Sequence, residues 1–308
     1  SQINEYAFCP FKYYCNKILN LGQLEDPALR LEALDLGNLY HHILYDFFKD
    51  FEGFQEVSIE EALKDLQQVA EEVMENYLPG INLPEGLWSL YQEEIMDTLN
   101  RVLTYEYQEA AKQNYLMKPT YLEASFGLNK NYREEESINY DDPLIIENET
   151  GQKVRFQGKI DRVDMSKRGN YLILYDYKLG SRAGYNDIVR GIDFQLPIYI
   201  KAAQAIFGED KEVLGAGYFS ILRGERKAGL WLNEEKSLIP VTSRSKSCID
   251  REEWDQILKD STDYIINYTD RIKEGVFIVD PADECPDYCP YIRICRYEPT
   301  RIGSKEVE

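Results

Sequence analysis

Long apolar runs are missing from this sequence: none approaches the roughly 20 residues that a membrane-spanning helix needs. No signal-peptide pattern opens it, so no secretory route is expected. The loop G-x-x-x-x-G-K-[ST], which cradles nucleotide phosphates, does not occur, so the chain carries no recognisable ATPase motor. Internal repeats and low-complexity linkers are absent too. Methionine is missing from the first position, Ser1, and helical sequence begins at once, so a domain cut from a longer protein is expected. Positive charge is in deficit. The 35 Lys and Arg residues against 55 Asp and Glu leave a net charge of −20, which argues against strong non-specific DNA binding by this chain alone. A basic partner would supply what it lacks.

What is present is ordinary globular text, with 44% apolar and 29% charged residues. At 308 residues the chain suffices for one large domain with insertions, and a single domain over 1–308 is expected. Residues 1–24 open on helix, and Pro27 to about Phe51 reads as a long helix with Leu31, Leu34, Leu44 and Phe48 at helical spacing. His41 shares that stripe, His42 falls on the polar side, and Gly37 one turn earlier leaves room beside the imidazole. Ser58–Leu78 and Leu87–Lys112 are acidic amphipathic helices broken by Pro79-Gly80 and Pro84-Glu85-Gly86, an inserted helical layer over 52–115. Residues 120–128 read as a strand carrying Glu123, and Tyr132–Gly151 as a polar surface excursion. Beyond the Gly180–Gly191 loop, a helix begins near Asp193 with Gln195, Pro197 and Tyr199 in its first turns. Val213–Leu222 is a strand, Gly229–Val241 one or two short ones, and Arg251–Lys273 a helix. These elements assemble as α/β, a sheet with helices on both sides.

The stretch from Phe156 to Gly180 carries the chemistry. It reads as two strands joined by a polar turn, with Asp161 on the first and Asp176-Tyr177-Lys178 on the second. Alternation places Asp176 and Lys178 on one face and Tyr177 on the other. An Arg168-Gly169 turn would set Asp161 opposite Asp176. Two carboxylates about 5 Å apart repel by about 3 kcal/mol at an effective dielectric near 20, so the pair calls for a cation. A D-x-K triplet alone reads more readily as a solvated strand edge with a local Asp–Lys pair. Three features favour a metal site: the run Leu172–Tyr175 is apolar on both faces, a second aspartate sits at a matched position, and the stretch Gly151–Arg190 holds nine basic residues, Arg182 among them, against four acidic ones.

The cysteines form a second constellation. Cys285, Cys289 and Cys295 are compact near one end, and Cys9-Pro10-Phe11 lies near the other, while Cys15 and Cys248 stand apart. Four thiolates could ligate zinc or an iron–sulfur cluster, and ligand count does not separate the two. A disulfide is disfavoured in an intracellular protein. Ends tied across 276 residues would constrain the unfolded chain by roughly 5 kcal/mol.

G-K-I-D-R-V-D followed by L-Y-D-Y-K-L-G resembles motifs II and III of the PD-(D/E)XK nuclease superfamily, in its RecB-like branch. Gly37-x3-His41 is similar to that branch's metal-binding histidine element, and Gln195-x3-Tyr199 to its fourth motif. The ordered set covers residues 37–199. The cysteine pattern resembles the iron–sulfur nuclease domain of AddB-type helicase–nuclease subunits, departing from it in having three residues between Cys285 and Cys289 where two are usual.

The resemblance implies a restriction-endonuclease-like core, a central mixed sheet flanked by helices, and a Cys-ligated cluster at the ends 1–15 and 285–295. It implies Mg²⁺ or Mn²⁺ held by His41, Asp161, Asp176 and the carbonyl of Tyr177, with Lys178 orienting the attacking water and Gln195 and Tyr199 positioning the strand. A 4Fe-4S cluster would sit on Cys9, Cys285, Cys289 and Cys295, with Cys15 the substitute ligand and zinc the alternative. The implied function is an exonuclease acting on DNA, in the cytoplasm, with a helicase partner and no membrane. A catalytically inactive DNA-binding or scaffolding subunit and a zinc-stabilised structural domain are the alternatives.

Overall fold

The computed structural model describes residues 2–22, 31–77, 83–128, 137–180, 184–208, 210–283, 285 and 289–297. The expected helix start at Pro27, the Pro79-Gly80 turn, Arg182 and the first part of the Tyr132–Gly151 excursion lie outside them.

The chain opens with α1 (Gln2–Phe8), α2 (Pro10–Tyr13) and a π-helical turn, Tyr14–Ile18. Next come α3 (Ala33–Lys49), α4 (Ile59–Asn76) and α5 (Glu85–Lys112). The strands β1 (Met117–Phe126), β2 (Asn139–Tyr140), β3 (Leu144–Glu147), β4 (Lys153–Phe156), β5 (Gly158–Ser166) and β6 (Tyr171–Lys178) follow. Then α6 (Tyr185–Val189) and α7 (Gln195–Phe207) lead into β7 (Glu212–Ser220), β8 (Glu225–Leu232) and β9 (Cys248–Ile249). The chain continues through α8 (Arg251–Lys273) to the short α9 (Ile292–Cys295).

Seven strands among the described residues form one mixed sheet in the order β2-β1-β5-β6-β7-β8-β9, and β3 and β4 make a separate hairpin. Strand β6 lies at its centre, antiparallel to β5 and parallel to β7, and its residues Leu172 to Tyr177 are all buried. A strand covered on both faces must be apolar on both, which is the pattern its sequence shows. The crossover from β6 to β7 runs through α6 and α7, as a parallel pair requires.

Helices α3, α4 and α5 cover one face, where Leu39, Ile43 and Phe47 meet Leu66, Leu99 and the sheet residues Leu122, Tyr177 and Phe219. In α4 the buried residues Ala62, Leu66, Ala70 and Met74 recur every four positions. Its start is fixed by a capping box, Ser58 Oγ accepting from the Glu61 N–H and the Glu61 carboxylate from the Ser58 N–H. The other face packs against α7 and α8 through Ile198, Ile200, Trp254 and Ile265.

Four readings are corrected. The long helix begins at Ala33, and Leu34, assigned to its apolar stripe, is 72% exposed. The polar excursion contains β3, whose Leu144 and Ile146 are buried in the main core. Strand β8 starts at Glu225 and ends at Leu232; the next strand, β9, pairs parallel to it. A Cβ at Gly37 would meet nothing within 4 Å, so this glycine is not needed to make room for His41.

Candidate metal centre

Strand register assembles the site. Leu122 pairs with Arg162 and Ala124 with Ile160, which sets Glu123 opposite Asp161. Arg162 pairs with Tyr175, so one step further Asp161 stands opposite Asp176. That second register is the one expected, though the turn differs. The Gly169 N–H bonds to Ser166 O across Lys167-Arg168, and Gly169 itself takes φ +77°, giving a longer loop of the same net register. Three carboxylates therefore align across three adjacent strands.

Each outer carboxylate has its own lysine. Glu123 pairs with Lys159, and the Asp176 Oδ2 lies 2.5 Å from Lys178 Nζ. Asp161, between them, accepts a 2.7 Å hydrogen bond from the Tyr177 N–H. From α3, His41 presents Nε2 to the Tyr177 carbonyl at 3.2 Å and Nδ1 to Asp161 Oδ2 at 3.8 Å. Ligand atoms of His41, Glu123 and Asp161 all lie within 4.8 Å of one another. Asn38, His42, Tyr45 and Lys159 complete the wall of their cavity, about 250 Å³ in volume. The Asp176 carboxylate turns to the adjoining helix, where Gln195 Nε2 donates to Oδ1 at 2.6 Å and Tyr199 OH to the same oxygen at 3.3 Å. Gln195 also donates to Tyr199 OH at 2.9 Å, so the pair one turn apart on α7 works as a single clamp.

The electrostatics describe a site charged beyond what the protein alone neutralises. Burial, then Asp176 and Glu123, hold the Asp161 carboxyl well above the usual range. Burial also raises Asp176, with Lys178 opposing it. Burial lowers His41, so its ring is neutral near pH 7 and offers a lone pair. The Tyr199 phenol is pushed far up by burial and by Asp176, and so remains a donor. Carboxylates, a main-chain carbonyl and one imidazole form an oxygen-rich set that suits Mg²⁺ or Mn²⁺.

Sequence reasoning named His41, Asp161, Asp176, Tyr177, Lys178, Gln195 and Tyr199, and all seven converge here. It placed Glu123 on a strand without assigning it to the site, whereas its side chain is 11% exposed and faces the centre. Glu123 also takes φ +51° in the interior of a strand, a left-handed conformation that costs a non-glycine residue of order 1–3 kcal/mol.

The cysteines gather as well. The described segments 2–22 and 276–297 meet through Ala282 N–H to Phe8 O at 2.8 Å, Phe11 N–H to Ile278 O at 3.1 Å and Tyr291 OH to Leu21 O at 2.7 Å. Cys15, raised by burial, has Cys295, Cys9 and Cys289 as electrostatic neighbours. Burial, with Cys289, Cys295 and Cys9 beside it, pushes the Cys285 thiol up to about 11. All five are free thiols, and Cys248 lies apart on β9.

Comparison with known proteins supplies the family. The family profile of the PD-(D/E)XK nuclease superfamily matches residues 1–296. The chain is similar to an ATP-dependent helicase/deoxyribonuclease subunit of Alkaliphilus oremlandii, 23% identical over 97% of this chain and 30% of that protein. The equivalent protein of Clostridium tetani is 26% identical over 72% of this chain and 19% of its own length. That of Clostridium novyi is 28% identical over 66% and 17%. The chain thus spans 30% or less of the length of these relatives.

Proposed function

Because the chain belongs to the PD-(D/E)XK nuclease superfamily, we propose that it is a divalent-metal-dependent deoxyribonuclease domain that digests DNA from an end beside a helicase partner. The observation that carries this reading is the alignment of Glu123, Asp161 and Asp176 across β1, β5 and β6, with Lys178 beside them and His41 facing them. His41, Asp161, Asp176 and the Tyr177 carbonyl would hold Mg²⁺ or Mn²⁺, with Glu123 joining the set. The bound ion supplies a water of lowered pKa and charge to offset the scissile phosphate.

The remaining work belongs to the chain's own side chains. Lys178 orients the attacking water and steadies negative charge on the phosphate. Gln195 and Tyr199 hold the Asp176 carboxylate in one orientation. Lys159, on the opposite flank of the cavity, gives the substrate strand a second cation. Such a site sits in DNA-handling machinery of the cytoplasm.

The five gathered thiols support a 4Fe-4S cluster on Cys9, Cys285, Cys289 and Cys295, with Cys15 as the substitute fourth ligand. A cluster there, where segments 2–22 and 276–297 meet, would act as a structural clasp. The net charge of −20 favours a second reading, a nuclease-like scaffold that does not cleave. End-labelled single- and double-stranded DNA incubated with and without Mg²⁺ separates the two. Wild-type protein is expected to digest it only with the metal, and Lys178→Ala and Asp176→Ala to lose that activity while staying folded. Unchanged cleavage in either variant sinks the assignment.

A further inference from the structure

Asp161 and the Tyr177 carbonyl account for only part of the two strands. Alternation sends Arg162, Asp164 and the Tyr177 phenol to the opposite face, beneath the helical layer. There Arg162 is fully buried and its guanidinium is bonded along both edges. Nε and Nη2 donate to Asp164 at 2.5 and 2.8 Å, while Nη1 and Nη2 donate to Glu106 of α5 at 3.1 Å each. Arg226 of β8 adds a 2.8 Å bond to Glu106. Two guanidinium groups thus face two carboxylates. Burial works against the Arg162 charge, and Asp164 and Glu106 more than offset it.

This group touches the elements that carry the metal centre. The Arg162 guanidinium stacks 4.7 Å over the ring of Phe48, on the same helix as His41. Its Nη1 reaches Tyr177 OH at 3.4 Å. Tyr177 is held elsewhere too: its N–H on Asp161, its carbonyl on His41, its ring edge-on to the imidazole at 5.6 Å. A core alone gives no reason for such a network, since apolar residues of equal volume often serve stability as well or better.

We propose that Arg162 is a positioning residue: acting through the Tyr177 phenol, it fixes the Tyr177 carbonyl, Asp161 and His41 in the arrangement a divalent ion needs. The proposal rests on the metal-centre reading above. Tyr177→Phe removes one hydroxyl and leaves the carbonyl and ring, so it is the primary variant. Arg162→Lys leaves buried carboxylates short of donors and is read only if it folds.

Calorimetric titration with Mn²⁺, alongside thermal melts of the metal-free proteins, tests it. Tyr177→Phe is expected to bind Mn²⁺ about tenfold more weakly than wild type, the usual scale for partners that orient a ligand, with a melting temperature within a few degrees. If Arg162→Lys folds, adding Tyr177→Phe to it should weaken binding no further, because the two act as one unit. Wild-type affinity in Tyr177→Phe, or full additivity of the two changes, overturns the proposal. Failure of the wild-type protein itself to bind Mn²⁺ overturns the metal centre, and this inference with it.

Discussion

The Asp161 carboxylate is tied to the main chain of the neighbouring strand, accepting the Tyr177 N–H at 2.7 Å. An amide oxygen could accept that bond equally well. Asp161→Asn should therefore keep the hairpin and melt within a few degrees of wild type, while losing the charge a metal requires. Mn²⁺-induced thermal stabilisation is the measurement. A variant stabilised as strongly as wild type would remove Asp161 from the ligand set.

Glu123 tests the strain at the centre. At φ +51° a glycine is at ease and an alanine is not. Glu123→Gly should be more stable than Glu123→Ala by about 1 kcal/mol in urea unfolding, the reverse of the usual order in a strand. An alanine variant as stable as the glycine variant would mean that the backbone there stores no strain.

Acidity gives a third expectation. Burial raises the folded-state values of Asp161 and Asp176 above the ordinary 3.8, and repulsion from Asp176 and Glu123 adds to it at Asp161. A carboxyl of this kind binds more protons folded than unfolded. The contribution of these two groups to metal-free stability is thus fullest below the ordinary value and is lost as pH rises through the raised ones. A divalent ion bound there would take the place of those protons. Mn²⁺ should raise the melting temperature more at pH 8 than at pH 5.5 and release protons on binding. Equal shifts at both pH values would contradict this.

Behind the site, β7 is held tightly against β8. A Cβ at Gly217 would come within 2.6 Å of the fully buried Trp231 ring. Gly217→Ala should destabilise the domain by about 1–3 kcal/mol, read as a lower urea midpoint at unchanged slope. A neutral effect would show that the indole has room to shift.

The terminal thiols are tested by composition. Protein purified without oxygen should be brown and contain iron and acid-labile sulfide, and Cys285→Ser should lower both. Stoichiometric zinc without iron would replace the cluster with a zinc site.

The sequence made the central hairpin legible because its signals are local. Alternation alone puts Asp176 and Lys178 on one face, and the apolar run before them marks a central strand. Its register came out right with a different turn, since both loops leave the same residues opposed. Glu123 was harder: its place depends on a pairing 38 residues away with Asp161 and on a backbone angle that glutamate rarely adopts. The link from Arg162 to Glu106, across 56 residues of chain, had no local signature at all. Helix α5 looked like a mere acidic layer because its one fully buried carboxylate is indistinguishable, in sequence, from its solvated neighbours.

The meeting of Phe8 with Ala282 and of Tyr6 with Val276 also dictates an order of events. During synthesis α1 must wait for the segment Val276 to Ala282 before these two bonds can form. At about 5–20 residues per second that interval is tens of seconds, in which the Tyr6 and Tyr13 rings stay unshielded. A ribosome stalled before Val276 would present α1 held only through Asn4 at Asp193 and Phe194, without its bonds to Val276 and Ala282.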